Sequence, residues 1–244
     1  MRNLLLTISF DGTAYHGWQV QDNAVTVQRT LQDALEHICS KRDNVVGCSR
    51  TDSGVHANMY CCNIRTESAI DCQRLVGALN AVLPRDIAAI DCCEVDYDFH
   101  ARYDCKSKEY IYKIWNSPNK NPFLYEYSLH YKYPLDDKFL NEQAKAYIGT
   151  HYFDSFCAAG SSVEDTKRTV KNASVEREGD MVIFRVEADG FLYNMVRIMT
   201  GTLIDIARKK IPADSIENII LARNREAAGY TAPAHGLYLN KIHY

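Results

Sequence analysis

Gly47-Cys48-Ser49-Arg50-Thr51-Asp52-Ser53-Gly54-Val55-His56-Ala57 packs an arginine, a carboxylate, an imidazole and two glycines into one short stretch. What stands on either side of it decides the fold. Upstream, Thr26 is a good N-cap residue, and Val27, Leu31, Leu35 and Ile38 recur at helical spacing before a charged Lys41-Arg42-Asp43 break. That pattern predicts an amphipathic helix packed on a sheet. Downstream, Met59 to Arg65 reads as a strand. The stretch is therefore a loop between a helix and a strand, and loops of that composition often carry sites.

Further out, Leu4 to Phe10 is a β-rich apolar run ended by the turn residues Asp11-Gly12-Thr13, which predicts an opening strand and loop. Asp71 caps a second helix carrying Leu75, Val76, Leu79 and Leu83 on one side and stopped by Pro84, and Ile87 to Val95 is again strand-like. This β-α-β-α-β order implies an α+β or α/β sheet with helices on one face, as in ferredoxin-like units. Glu109 to Asn116 reads as a strand, and Ser117-Pro118-Asn119-Lys120-Asn121-Pro122 is the clearest turn-rich breaker, so halves 1–116 and 117–244 are predicted. Beyond it come a helix over Asp136 to Ile148 and a hairpin of Thr169 to Arg177 with Met181 to Ala188 around Glu178-Gly179-Asp180. A long helix follows, marked by Leu192, Met195, Val196, Met199, Leu203 and Ile206, with Arg208-Lys209-Lys210 at its end. The second half broadly repeats the first half's alternation, which suggests pseudo-duplication.

Of the 244 residues, 46% are hydrophobic and 24% charged, values that leave no room for a largely disordered chain. A net charge of −3 and a pI near 6.2 lend no whole-molecule support to nucleic-acid binding, so any such role rests on local basic stretches. Nine cysteines are an odd number and none stands in a Cys-x-x-Cys pair, which argues against a disulfide framework and a zinc ribbon. The N-terminus shows no export signal and no apolar stretch approaches the roughly 20 residues needed to cross a bilayer. A soluble cytoplasmic protein with no membrane association is expected.

From the residues alone, Asp52 could be a nucleophile, a general base, a metal ligand, or a turn residue accepting backbone hydrogen bonds, while Gly47 and Gly54 let the backbone approach a ligand or take positive φ. A metal-dependent hydrolase using Asp11, His16, Asp52 and His56 is a competing reading, but no further ligands stand at recognisable spacing.

The stretch Arg50 to Ala57 resembles the signature loop of the TruA pseudouridine synthases. Four more stretches resemble that family's motifs in the family's order: Phe10-Asp11-Gly12-Thr13-Ala14-Tyr15-His16-Gly17-Trp18-Gln19; Phe99-His100-Ala101-Arg102-Tyr103 with Lys108-Glu109-Tyr110-Ile111-Tyr112; Gly190-Phe191-Leu192-Tyr193-Asn194-Met195-Val196-Arg197; and Thr231-Ala232-Pro233-Ala234-His235-Gly236-Leu237-Tyr238-Leu239. The resemblance implies an α+β fold of two ferredoxin-like halves, with a mainly antiparallel central sheet, helices on one face and the active-site cleft on the other, both halves forming one catalytic unit. It implies an isomerase that converts uridine to pseudouridine at tRNA positions 38, 39 and 40, acting as a homodimer without metal or cofactor. No other protein partner is implied.

The resemblance makes Asp52 the catalytic carboxylate, Arg197 its ion-pair partner, and Tyr110 the active-site tyrosine, while Tyr112 reads as core. Arg50 is the candidate wedge that holds the stem open once the nucleotide is flipped out; a structural pair with a nearby carboxylate is its alternative. Substrate contact is further assigned to Phe99, His100, Ala101, Arg102, Tyr103, His56 and Leu237, and His16 and Trp18 are expected to shape the pocket wall. Phosphate contacts are expected from Arg102, Lys106 and Lys108, and from Arg208 to Lys210 with Arg223 and Arg225. The stretch Ser161-Ser162-Val163-Glu164-Asp165-Thr166 occupies a loop that meets tRNA in relatives, yet here it carries two acids. A catalytically idle tRNA-binding module of the same fold is the other alternative.

Overall fold

Leu4, Leu6, Ile8 and Phe10 alternate along strand β1 (Arg2–Phe10), and all four are buried, as period-two patterning requires of a strand with one face on a core. The structure is a computed structural model, and it describes residues 1–160 and 163–244. β1 leads into helix α1 (Val27–Cys39), strand β2 (Val45–Gly47), strand β3 (His56–Thr66), helix α2 (Cys72–Val82) and strand β4 (Ile87–Val95). Next come β5 (Ser107–Trp115), β6 (Leu129–His130), α3 (Asp137–Lys145), β7 (Gly149–Tyr152), β8 (Lys167–Glu178) and β9 (Met181–Ala188). Helices α4 (Met195–Ala207) and α5 (Ile216–Ala222) and strand β10 (Leu237–His243) complete the chain.

The chain divides into two compact units, Met1–Lys106 with Tyr238–Tyr244, and Ser107–Leu237. In the first, β1 lies between β3 and β4, antiparallel to both, and β2 runs antiparallel along the far side of β3, from Val45↔Ile64 to Gly47↔Cys62. The order β4-β1-β3-β2 with helices between β1 and β2 and between β3 and β4 is the ferredoxin-like arrangement. β10 joins β3 in parallel through Tyr238↔His56 and Leu239↔Ala57. α1 buries Val27, Leu31, Ala34 and Leu35, and α2 buries Leu75 and Leu79. Asp71 caps α2 by accepting from the amides of Gln73 and Arg74. Thr26, by contrast, occupies the N-cap position of α1 with its buried hydroxyl unpaired, so the cap expected from its identity does not form.

In the second unit the sheet runs β5-β9-β8-β7, antiparallel throughout, with β6 parallel to the end of β5. The neighbours β5-β9-β8 repeat the first unit's β1-β3-β2, and β5, α3, β8, β9 and α4 repeat its strand-helix-strand-strand-helix order. Ladders in both units are mainly antiparallel, and the fold is α+β. Every residue of α4 except Arg197 and Ala207 is buried, which makes it the central helix of its unit.

The division differs from the predicted 116/117 boundary. β5 belongs to the second unit because it pairs with β9 from Lys108↔Ala188 to Trp115↔Met181, and the turn-rich 117–122 segment is an internal loop in which Asn121 accepts from the Phe123 amide. β10 from Tyr238 on goes with the first unit, not the C-terminal half, because it pairs with β3 and its His243 carbonyl takes the Lys106 amide at 2.8 Å. α4 starts at Met195 rather than Leu192 because Asn194 turns the chain with φ 60°.

Candidate active site

The Asp52 loop is tied by its backbone to the loop that follows β1. The Trp18 amide donates to the Thr51 carbonyl and the Gly54 amide to the Tyr15 carbonyl, both at 3.2 Å, and the Ser53 hydroxyl reaches the same Tyr15 carbonyl. Within the loop the Val55 amide closes onto the Asp52 carbonyl at 3.2 Å, and Gly54 takes the φ of 76° that this turn needs. Gly47 is approached by side chains of its own unit, not left open to a ligand: Trp18 and Tyr60 stack at 4.1 Å beside it, and the Tyr60 hydroxyl donates to the Ser49 carbonyl. Asp52 itself is half-buried and Arg50 exposed. Thus Trp18 is a buried strut under the loop, while His16 is exposed.

His56 is 1% exposed, its ring stacked on Tyr238 at 4.7 Å. Its Nδ1 accepts the Gly12 amide at 3.0 Å. Asp11 Oδ1 lies 3.1 Å from the same nitrogen. Asp11 Oδ1 also takes the Thr13 amide and hydroxyl. His56 is thus packed between the first motif at Gly12 and Tyr238 of β10. Among the described residues, no group of three or more His, Cys, Asp or Glu has a metal-holding arrangement.

In the second unit, Arg197 stands in the first turn of α4. Its Nε donates to the Ala232 carbonyl at 2.7 Å and its Nη1 to Asn194 Oδ1 at 2.6 Å, while the Ala232 amide returns to the Arg197 carbonyl. Two of the resembling motifs thus meet at this arginine. Tyr110 on β5 is buried, with Phe191 edge-on to its ring at 5.0 Å. Tyr112, two residues along the same strand, is fully buried and donates to the Pro233 carbonyl at 2.8 Å. Burial pushes its phenol well above the ordinary tyrosine range, in keeping with a core residue. Leu237 is buried at the start of β10.

Of the basic residues, Arg102 is exposed, but Arg225 is held by the Gly229 carbonyl and Thr231, and Arg223 pairs with Asp154 at 2.9 Å. The two arginines thus each have local partners, and Arg223 remains exposed. Ser161 and Ser162 lie outside the described residues; in the rest of that stretch Thr166 bonds Asp154 and Asp165 accepts the Lys167 amide. Sequence reasoning missed Tyr60 and the buried Asn3 and Asn63; the two asparagines stand on the strand face opposite the apolar alternation of Leu4, Leu6, Ile8 and Phe10, where the sequence carries no signal of burial. All nine cysteines are in the thiol form.

A family described as tRNA pseudouridine synthase matches residues 6–104 and 143–244. The chain belongs to the tRNA pseudouridine synthase family. Asp52 and Arg197 fall inside the matched segments and Tyr110 between them. Similar tRNA pseudouridine synthases span the gap. The chain is 46% identical to tRNA pseudouridine synthase A of Acetivibrio thermocellus and 45% identical to that of Thermoanaerobacter sp. (strain X514), each over 100% of both chains. It is 43% identical to tRNA pseudouridine synthase A of Halalkalibacterium halodurans over 97% of this chain and 90% of the relative.

Proposed function

We propose that the chain isomerises uridine to pseudouridine at positions 38, 39 and 40 of the tRNA anticodon arm, with Asp52 as the catalytic carboxylate. The observation that carries the reading is the Asp52 loop itself: its backbone is fastened to the first motif at Thr51, Ser53 and Gly54, which leaves a half-buried carboxylate on a fixed support. The reaction is an isomerisation. The N1–C1′ bond breaks, the uracil turns, a C5–C1′ bond forms, and the C5 proton leaves as N1 gains one. Asp52 either adds to C1′ or removes a sugar proton, and a carboxylate is suited to an electron-poor sugar carbon in both cases.

Tyr110, Arg197 and Arg50 are the residues proposed to act with Asp52 on the flipped-out nucleotide. Tyr110 stacks on the uracil with its hydroxyl near the departing C5 proton, Arg197 keeps the carboxylate ionised, and Arg50 fills the vacated stem. Arg102 and Tyr103 supply contacts along the RNA, on the loop that Phe99, His100 and Ala101 shape. Both units serve one catalytic unit, and the protein acts as a homodimer in the cytoplasm; family likeness supports these assignments. Among the described residues no helix is long and apolar enough to cross a membrane.

The test is incubation of the purified protein with unmodified tRNA transcripts, followed by mapping of pseudouridine at every uridine. Product confined to positions 38 to 40 is expected. Product in another arm would overturn the site assignment, and tight binding without product would make the chain an idle module.

A further inference from the structure

We propose that Asn3, Asn63 and Tyr244 are positioning residues that hold the Phe99–Tyr103 loop in the shape in which it meets tRNA. The inference rests on the RNA-modifying reading above. Asn3 on β1 and Asn63 on β3 stand on the sheet face opposite Leu4, Leu6, Ile8 and Ile64, and both are nevertheless buried, Asn3 to 1% and Asn63 to 3% exposure. A buried amide weakens a sheet unless its polar atoms are matched. Here they are matched, and mostly outside the strands. Asn63 Nδ2 donates to Asn3 Oδ1 at 3.0 Å, and Asn63 Oδ1 accepts the Ala101 amide at 2.9 Å. Asn3 Nδ2 in turn reaches the carbonyls of Asp96, Tyr97 and Phe99 at 3.0, 3.3 and 2.9 Å. The pair thus grips four backbone groups of one loop.

Tyr244 holds the same loop through a separate contact. Its hydroxyl donates to the Ala101 carbonyl at 2.9 Å, and its ring meets Phe99 edge-on at 5.0 Å. Ala101, with no exposed surface, is therefore fixed through both its N–H and its carbonyl. The residues that follow point outward. His100 Nδ1 accepts the amides of Arg102 and Tyr103, and the His100 amide donates to Asp104, which closes a tight turn. The Tyr103 ring stacks on His100 at 4.2 Å and remains 76% exposed, with the Arg102 guanidinium 5.9 Å from its centre. A cation beside an open aromatic face suits a phosphate next to an unstacked base. What gives that pair its position is the buried amide relay behind it.

The test measures KM and kcat on a tRNA transcript for Asn63→Leu and Tyr244→Phe, each alone and combined with Arg102→Ala. Tyr244→Phe keeps the ring and removes one half-buried hydroxyl, so it reports even where Asn63→Leu folds poorly. Loss of one such hydrogen bond is expected to raise KM about 5-fold, with kcat at saturating tRNA within about 2-fold of wild type. Arg102→Ala is expected to raise KM by a smaller factor in either background than in wild type, because the loop that aims Arg102 is already slack. A purely structural role would lower thermal stability and leave both KM and the cost of Arg102→Ala unchanged, and that result overturns the inference. A wild-type protein that makes no pseudouridine overturns the functional reading and this inference with it. An active wild type with equal Arg102→Ala costs in every background overturns this inference alone.

Discussion

At Gly17 the first motif lies so close to the Asp52 loop that one methyl group decides the contact. A Cβ there would sit 2.3 Å from the Thr51 carbonyl oxygen, and the φ of 80° is strained for any other residue. Gly17→Ala is therefore expected to cost more than about 1 kcal/mol in urea unfolding and to lower turnover, since the displaced backbone carries Asp52. Unchanged stability would mean that the two loops are not held as described. Tyr110 and Tyr112 show what single residues disclose in a sequence. Their spacing marks a common strand face and the motif singles out Tyr110; the structure adds their partners, Phe191 edge-on to Tyr110 and the Pro233 carbonyl for Tyr112. His56 shows the same: a motif histidine is conspicuous in the sequence, yet its partners Gly12 and Tyr238 lie far along the chain, where no spacing rule could find them.

Helix starts were read from residue identity, and two of them behave differently for a physical reason. The Asp71 carboxylate is exposed and meets two free amides of α2, whereas Thr26 is buried and its hydroxyl finds no partner. Asp71→Ala should lower stability by about 1 kcal/mol, while Thr26→Val should be neutral or stabilising because it removes an unpaired buried group. Denaturation midpoints of the two variants check this; a loss at Thr26 equal to that at Asp71 would show a working cap. Helix α3 supplies a pH test. Arg177 Nε donates to Asp137 Oδ1 at 2.7 Å, and this bond holds the Asp137 carboxyl below its ordinary range. A depressed pKa means stability that is fully present above the unfolded value of about 4 and is lost as the pH falls through the folded one. The fall in unfolding midpoint between about pH 6 and about pH 3 should accordingly be smaller in Asp137→Asn than in wild type. An identical acid dependence would contradict the pairing.

For the molecule as a whole, strand and helix order was legible because each element carries its own period, and the α+β assignment followed from it. The division was not. A turn-rich segment such as 117–122 looks like a linker, but β5 pairs with β9 and β10 returns to β3, and pairings across such sequence distances leave no local trace. The candidate site was legible as a set of motifs because Asp52 stands in a loop with unusual chemistry, while its supports, Trp18 stacked on Tyr60 and the Tyr15 carbonyl, are fixed only by tertiary contact. A net charge of −3 places the burden of RNA recognition on local groups, so affinity and chemistry should be separable. The most direct measurement is single-turnover pseudouridine formation by Asp52→Asn alongside its tRNA affinity. The account expects turnover to fall by many orders of magnitude while affinity stays near wild type; turnover retained in Asp52→Asn would contradict it.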